Sequence, residues 1–411
     1  MTIAQTSPQT ATRSNSIWVV VVFAGITAAL HIWKLPAALP VIQEDLGLSL
    51  LVAGVLLGIV QVAGMLGGLG ISLLAEVIGE RRTLIIGLLF LTLGSALGAM
   101  SLGANMLLAS RAIEGVGFIA ATVMGPGLIR RYAPMNRINM AVGCWSAYMG
   151  TATFVGLISS AFFLQVGTWH MWWWIMAAMT LIPLPLIIRL VPKDQPQAVG
   201  GTKAATARIG VTARTGKVWI AGFVFGCYTI QWMAVVGFLP TIYEQSGLSG
   251  THPGTLSAIV GGLNGIGAVL TGFLLQRGIA PKILLFVSFA AMAVTSFLTF
   301  AIDWSPISGG LAWQVTCVGL FSLLGAMIPA TLTRMAVDLA PAGGSAPAAM
   351  GLMQQIFNIG NFTGPMLVAW LAMSTGGWSS TWWMTCGFAA VGIGLSAVLV
   401  GRRDSVNFSH S

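Results

Sequence analysis

Residues 39–49, LPVIQEDLGLS, return at 239–249 as LPTIYEQSGLS, an eleven-residue pattern repeated at an offset of 200 with seven identities. The echo continues through Gly54/Gly254, Leu56/Leu256, Ile59/Ile259 and Gly67/Gly267. A chain with this repeat is built from two copies of one unit, and a fold that cannot be halved is excluded. In a membrane protein such duplication points to a secondary transporter.

The membrane setting follows from composition. Hydrophobic residues make up 56% of the chain and charged residues 7%, against roughly 25% charged in soluble domains, and the mean hydropathy is +0.88. Runs long enough to cross a hydrocarbon core, about 20 helical residues, fall at about 17–40, 50–75, 83–102, 106–129, 138–163 and 169–191, then at about 217–240, 254–276, 282–302, 307–333, 345–373 and 378–401. The expected fold is all-α and integral to the membrane, with twelve transmembrane helices in two pseudo-symmetric six-helix bundles over 17–191 and 217–401. The stretch 192–216 is polar, basic and rich in Gly, Ala and Thr, and reads as a linker. Residues 1–16 and 402–411 read as tails. The amino-terminal tail lacks the apolar core of a cleavable signal, so the first helix is expected to stay as an uncleaved anchor.

Orientation follows from the basic residues, which cytoplasmic loops should carry. With the amino terminus inside, Arg13, Arg81, Arg82, Arg130, Arg131, Arg137, Arg189, Lys193, Lys203, Arg208, Arg214, Lys217, Arg277, Lys282, Arg334, Arg402 and Arg403 all lie inside, 17 of the 19. Both termini and the linker are therefore expected in the cytoplasm, with the chain in a bacterial inner membrane. Six crossings separate the copies of the LP-to-GLS segment, which places both on the outer face and makes the halves parallel repeats. The net charge of +9 is accounted for by topology and anionic lipid headgroups, and implies no nucleic-acid partner. Cys144, Cys227, Cys317 and Cys386 lie in separate predicted helices and suggest neither disulfides nor a metal cluster. Glycines spaced i, i+4, as in Gly54/Gly58, Gly64/Gly68 and Gly94/Gly98, are the small-residue stripes that let helix backbones approach.

The loop SLLAEVIGERR, Ser72 to Arg82, resembles the inner-loop signature of the major facilitator superfamily, G-x-L-x-D-R-x-G-R-R/K. Leu74, Glu76, Gly79 and Arg81 fit and Arg82 adds a basic residue one place late, while Ser72, Val77 and Glu80 depart from it. A more degenerate copy lies at Gly272, Leu274, Gln276, Arg277 and Lys282, and RAIEGVGF at Arg111 to Phe118 is similar to the superfamily's R-x-x-x-G element. The resemblance implies alternating access around a central cavity lined by helices one, four, seven and ten. It also implies a gate at Glu76, Arg81, Arg82 and Arg130, with Glu76 drawn to the amino-terminal dipole of helix eleven and to Arg130. Within the superfamily, HIWKLPAALPVIQEDLGLS, RAIEGVGF and PGLIRRYAPMNR are similar to the branch of cyanate permeases and nitroimidazole-type exporters. The Gly-Pro pair that drug exporters carry in helix five is absent between Ala141 and Ser160.

Lys34 and Arg111 are the two basic residues that topology leaves unexplained. Ionisable groups within a span cost about 2.5 to 3.5 kcal/mol each on insertion scales, so they require a reason. His31 lies at i−3 from Lys34 and Glu114 at i+3 from Arg111, on shared helix faces. Two readings stand for each cation. Lys34 either snorkels to the headgroups or, with Arg111, forms a positive field for an anion, and Arg111 with Glu114 is either an intrahelical packing pair or part of that field. Gln231, Trp232 and Tyr228 lie across the pseudo-twofold axis from His31. Asn358 and Asn361, with Gln354 and Gln355, either line the cavity or bind helices together. The substrate-binding set is thus His31, Lys34, Arg111, Tyr228, Gln231, Trp232, Asn358 and Asn361, with Glu114 or His31 as the group that carries a coupling proton. The expected function is proton-coupled transport of a small organic or inorganic anion. Export of a small uncharged or weakly acidic compound or drug is the alternative, and a non-transporting sensor a distant third. Enzymatic activity is not expected, since His170 and His252 lack partners at catalytic or metal-ligand spacing. Neither cofactor nor metal is expected, and a monomer in contact with membrane lipids is.

Overall fold

The structure, a computed structural model, describes residues 8–194, 202–304, 306–344 and 346–400. The carboxy-terminal tail expected at 402–411 and the first seven residues lie outside them. In a medium without water, backbone N–H and C=O groups must pair within the segment, and a helix achieves that locally. Among the described residues, twelve helices are long and apolar enough to cross a membrane: α1 (Ser16–Trp33), α2 (Leu50–Gly67), α3 (Glu80–Ala99), α4 (Ala104–Tyr132), α5 (Gly143–Phe163) and α6 (Trp169–Leu190), then α7 (Gly216–Gln245), α8 (His252–Gln276), α9 (Pro281–Phe300), α10 (Gly310–Ala336), α11 (Ala348–Thr375) and α12 (Trp378–Leu399).

The spans form two six-helix bundles. In the first, α4 packs on α1, α2 and α3, while α1 also meets α5 and α6; in the second, α7 packs on α11 and α12, and α9 on α10 and α12. The bundles meet where α2 crosses α11 and α5 crosses α8. Gly58 shows why glycine is needed there: a Cβ at that position would lie 2.6 Å from the carbonyl oxygen of Phe362 on α11, so any side chain would force the helices apart.

The repeated LP-to-GLS segment does not fold the same way twice. The expected first span, 17–40, instead ends at Trp33, and Leu39–Leu46 forms a separate short helix after a turn. In the second half α7 runs unbroken to Gln245, straight through Pro240. The difference traces to Pro36, whose counterpart is Val236. Proline disfavours α conformation in the residue before it and removes an N–H from the ladder. The linker expected over 192–216 contains a helix, Thr202–Ala213, that packs against α11.

Candidate functional site

Glu114, in α4, is the hub of a cluster that includes every ionisable residue of the first bundle singled out for binding or coupling. Lys34 Nζ donates to its Oε1 at 2.5 Å, Arg111 Nη1 to its Oε2 at 2.5 Å, and His31 Nδ1 lies 3.0 Å from Oε1. All four residues have zero relative exposure. The i, i+3 spacing brings Arg111 onto the carboxylate from within α4, while His31 and Lys34 come from the end of α1. Lys34 stays in reach because its N–H still bonds Leu30 O at 2.8 Å, extending the helical geometry just past Trp33.

The headgroup reading of Lys34 is thereby corrected. Its ammonium lies under the ring of Trp173, 4.4 Å from the centroid, and donates to Ser95 Oγ at 2.8 Å. Ser95 Oγ in turn donates to Trp173 O at 2.7 Å, and Ser160 Oγ to Lys34 O at 3.2 Å. Arg111 and Glu114 are likewise more than an intrahelical pair: the carboxylate is shared by two cations, and Arg111 Nη1 also donates to His31 O. Counted by formal charge, with Lys34 and Arg111 protonated, Glu114 ionised and His31 neutral, the cluster carries one net positive charge in the protein interior. Arg111 Nε and Nη2 are buried without a hydrogen-bond partner. These two N–H groups form one edge of the guanidinium, the fork that matches a carboxylate-like anion.

Sequence reasoning missed Ser95, Ser160, Trp173 and Thr180, whose Oγ1 lies 2.6 Å from His31 Nε2. Ser and Thr are unremarked in apolar helices, and their partners lie 61 to 149 residues away in the chain. Gly94 was seen only as a small residue, yet a Cβ there would lie 2.7 Å from Glu114 Cγ. Gly94→Ala is therefore expected to displace the hub and cost about 1–3 kcal/mol, the usual range for overpacking. A thermal melt of the detergent-solubilised protein equal to wild type would show that the carboxylate can move aside freely.

The second bundle's residues are placed apart from this cluster. Gln231 is buried, its Nε2 donates to Cys227 O at 2.7 Å, and its Oε1 has no hydrogen-bond partner. Tyr228 Oη accepts from Asn264, which also bonds Ser322 O, and Trp232 Nε1 donates to Ser322 Oγ. Trp232 reaches the first bundle, its ring 5.3 Å edge-on from Trp33. Asn358 and Asn361 are buried, and Asn358 faces Gly64 of α2 where the bundles meet.

At the linker side, two of the expected gate residues, Arg81 and Arg82, bond to groups next to the first bundle's own helices. Asp194 accepts from the backbone N–H groups of Arg81 and Arg82, both at 3.0 Å, a carboxylate on the amino terminus of α3 where free N–H groups and the helix dipole favour it. Gly79, with φ +100°, makes the turn into that helix. Arg81 Nη2 donates to Ile188 O, and Arg131 pairs with Glu80 at 3.3 Å, while Arg130 is exposed. The Glu76 side chain lies outside the described residues.

Comparison with known proteins agrees with this architecture. Residues 17–343 match the Major Facilitator Superfamily, and residues 221–409 match it again. The chain is similar to the cyanate transport protein CynX of Escherichia coli (strain K12), 24% identical over 306 residues covering 72% of this chain and 76% of the relative. It is also similar to the 2-nitroimidazole transporter of the same organism, 24% identical over 309 residues with 73% and 74% covered. A third relative, the probable 4-methylmuconolactone transporter of Cupriavidus pinatubonensis (strain JMP 134 / LMG 1197), is 22% identical over 302 residues with 70% and 69% covered. The crystal structure of a D-xylose-proton symporter superposes with a TM-score of 0.71 at 19% identity, covering 94% of this chain and 97% of that one.

Proposed function

Because the chain belongs to the Major Facilitator Superfamily, we propose that it is a secondary transporter that moves a small organic or inorganic anion by alternating access, coupled to protons. The observation that carries this reading is the buried cluster of two basic residues, Lys34 and Arg111, on one carboxylate, Glu114, with the Nε, Nη2 edge of Arg111 unbonded. An uncompensated buried charge is costly, and an anion on that edge would remove the cost. The name of the cyanate relative fits this chemistry. On the opposing bundle, Tyr228, Gln231, Trp232, Asn358 and Asn361 would complete the site once the cavity opens, Gln231 by turning its Nε2 donor from Cys227 O to the anion. Glu76, Arg81, Arg82 and Arg130 would lock the linker side.

The second reading is export of a small uncharged or weakly acidic compound. It draws on the 2-nitroimidazole relative and on the aromatic contact of Trp33 with Trp232. The two separate in proteoliposomes loaded at alkaline pH and diluted into acid. Uptake of cyanate, formate or nitrate above the level of protein-free liposomes supports the anion reading, and extrusion of preloaded labelled 2-nitroimidazole on the same dilution, with no anion uptake, overturns it.

Placing the linker in the cytoplasm of a bacterial cell puts the 17 basic residues inside. A cysteine at Ala204, in a variant lacking the four native cysteines, is then expected to resist an impermeant thiol reagent in intact cells and to react in inverted vesicles. Labelling from outside would reverse the orientation.

A further inference from the structure

Thr180 of α6 has no part in the proposed transport cycle, yet its hydroxyl lies 2.6 Å from His31 Nε2. A threonine hydroxyl has one hydrogen to give. Met176 O, one turn earlier and 2.8 Å from Thr180 Oγ1, can only accept, so that hydrogen is committed there. The 2.6 Å contact with His31 Nε2 is then made by the ring nitrogen donating; Glu114 Oε1, 3.0 Å from Nδ1, is also only an acceptor but already bonds Lys34, so the shorter contact takes the one hydrogen of the neutral ring. In neutral imidazole only one nitrogen carries hydrogen, which leaves Nδ1 with a bare lone pair aimed at Glu114 Oε1, 3.0 Å away. Lys34 Nζ is only a distant donor to Nδ1, at 3.4 Å, with its nearer contacts at Glu114 and Ser95. One proton fits on the line between Nδ1 and Oε1.

We infer that Thr180 is the positioning residue that keeps the His31 hydrogen on Nε2, so that a proton entering the cluster is received on Nδ1 and held against Glu114 Oε1. The ring contacts Lys34 from the end of α1, Glu114 from α4 and Thr180 from α6, and Arg111 of α4 bonds the His31 backbone oxygen, while α3 and α5 supply Ser95 and Ser160, which contact Lys34 and do not titrate. The consequence for coupling rests on the anion reading above. A proton on Nδ1 raises the cluster from one net positive charge to two, and a monovalent anion at Arg111 returns it to one. Each therefore favours entry of the other, by the reciprocity of linked binding, and the pair would travel together rather than in exchange.

The test uses the full chain with [15N]histidine in lipid nanodiscs, at about pH 8, above the ordinary titration range of histidine. The protein has four histidines, and the His31 signals are those lost in His31→Gln. Wild type is expected to carry hydrogen on Nε2 alone. In Thr180→Val, which keeps the shape and loses the acceptor, the hydrogen should move to Nδ1 and bond Glu114, filling the proton site with the ring's own hydrogen. Thr180→Ser should restore the wild-type spectrum. In proteoliposomes, Thr180→Val should lose gradient-driven uptake of the probe anion while keeping counterflow, and Thr180→Ser should keep both. Hydrogen on Nδ1 in the wild type, an unchanged tautomer in Thr180→Val, or failure of serine to rescue would each overturn the inference. The spectra need no substrate, so they stand or fall independently of whether an anion is transported.

Discussion

Glu114→Gln is expected to be the most damaging single substitution in this protein, and adding Lys34→Gln to it is expected to recover folded material. In the single variant Lys34 and Arg111, both fully buried, face a neutral amide, and breaking a buried ion pair from one side costs about 3–5 kcal/mol. That is a large share of a typical folding stability of about 5–15 kcal/mol. Lys34→Gln alone leaves the Arg111–Glu114 pair intact and uncharged overall, so it should fold and lose affinity for an anionic substrate. The double variant retains Arg111 as its one cation and returns the net charge to the wild-type value. Thermal melting and size-exclusion profiles of the four proteins check the ordering. A double variant no better than Glu114→Gln would show that the carboxylate matters through its hydrogen bonds rather than through charge balance.

Arg111→Lys is expected to raise the KM for an anionic substrate by about ten- to a hundredfold while leaving the protein folded. The lysine preserves the charge opposite Glu114 but lacks the Nε, Nη2 edge, which is unbonded in the structure. Charge-assisted hydrogen bonds contribute about 1.5–3 kcal/mol, and each 1.4 kcal/mol is about tenfold in affinity. Initial rates of proteoliposome uptake over a range of anion concentrations provide the measurement. An unchanged KM in a folded variant would remove that edge from the binding site and leave it as a packing feature.

Much of this site was legible in the chain because charge is rare in it. A lysine and an arginine left over after topology is satisfied stand out against long apolar runs. The spacing of Lys34 from His31 and of Glu114 from Arg111 then placed each pair on one helix face. What stayed hidden is the convergence of both cations on one carboxylate, because Lys34 and Glu114 are 80 residues apart and no local pattern links them. Ser95, Thr180 and Trp173 stayed hidden for the same reason. Hydroxyls in apolar helices usually bond a carbonyl one turn back, and Thr180 does so with Met176. Only its second contact, across to His31, makes it part of the site.

The same division runs through the fold. Hydrophobic length, the placement of basic residues and the repeat at an offset of 200 determined twelve crossings in two related halves, because the membrane core admits only segments that satisfy their own backbone. Those are local properties, readable one segment at a time. Tertiary structure decided how the halves depart from their symmetry. The same LP-to-GLS pattern became a separate helix at Leu39–Leu46 and the end of a continuous one at 239–245, as Pro36 breaks the first copy and nothing breaks the second. The ionisable residues belong to the first half by sequence, and tertiary structure decided that they converge on one carboxylate. The positions related to His31, Lys34, Arg111 and Glu114 by the offset are Gln231, Ala234, Leu311 and Gln314, and none of these carries charge. Buried charge is tolerated only where partners from several helices converge, and that convergence is a property of packing in three dimensions.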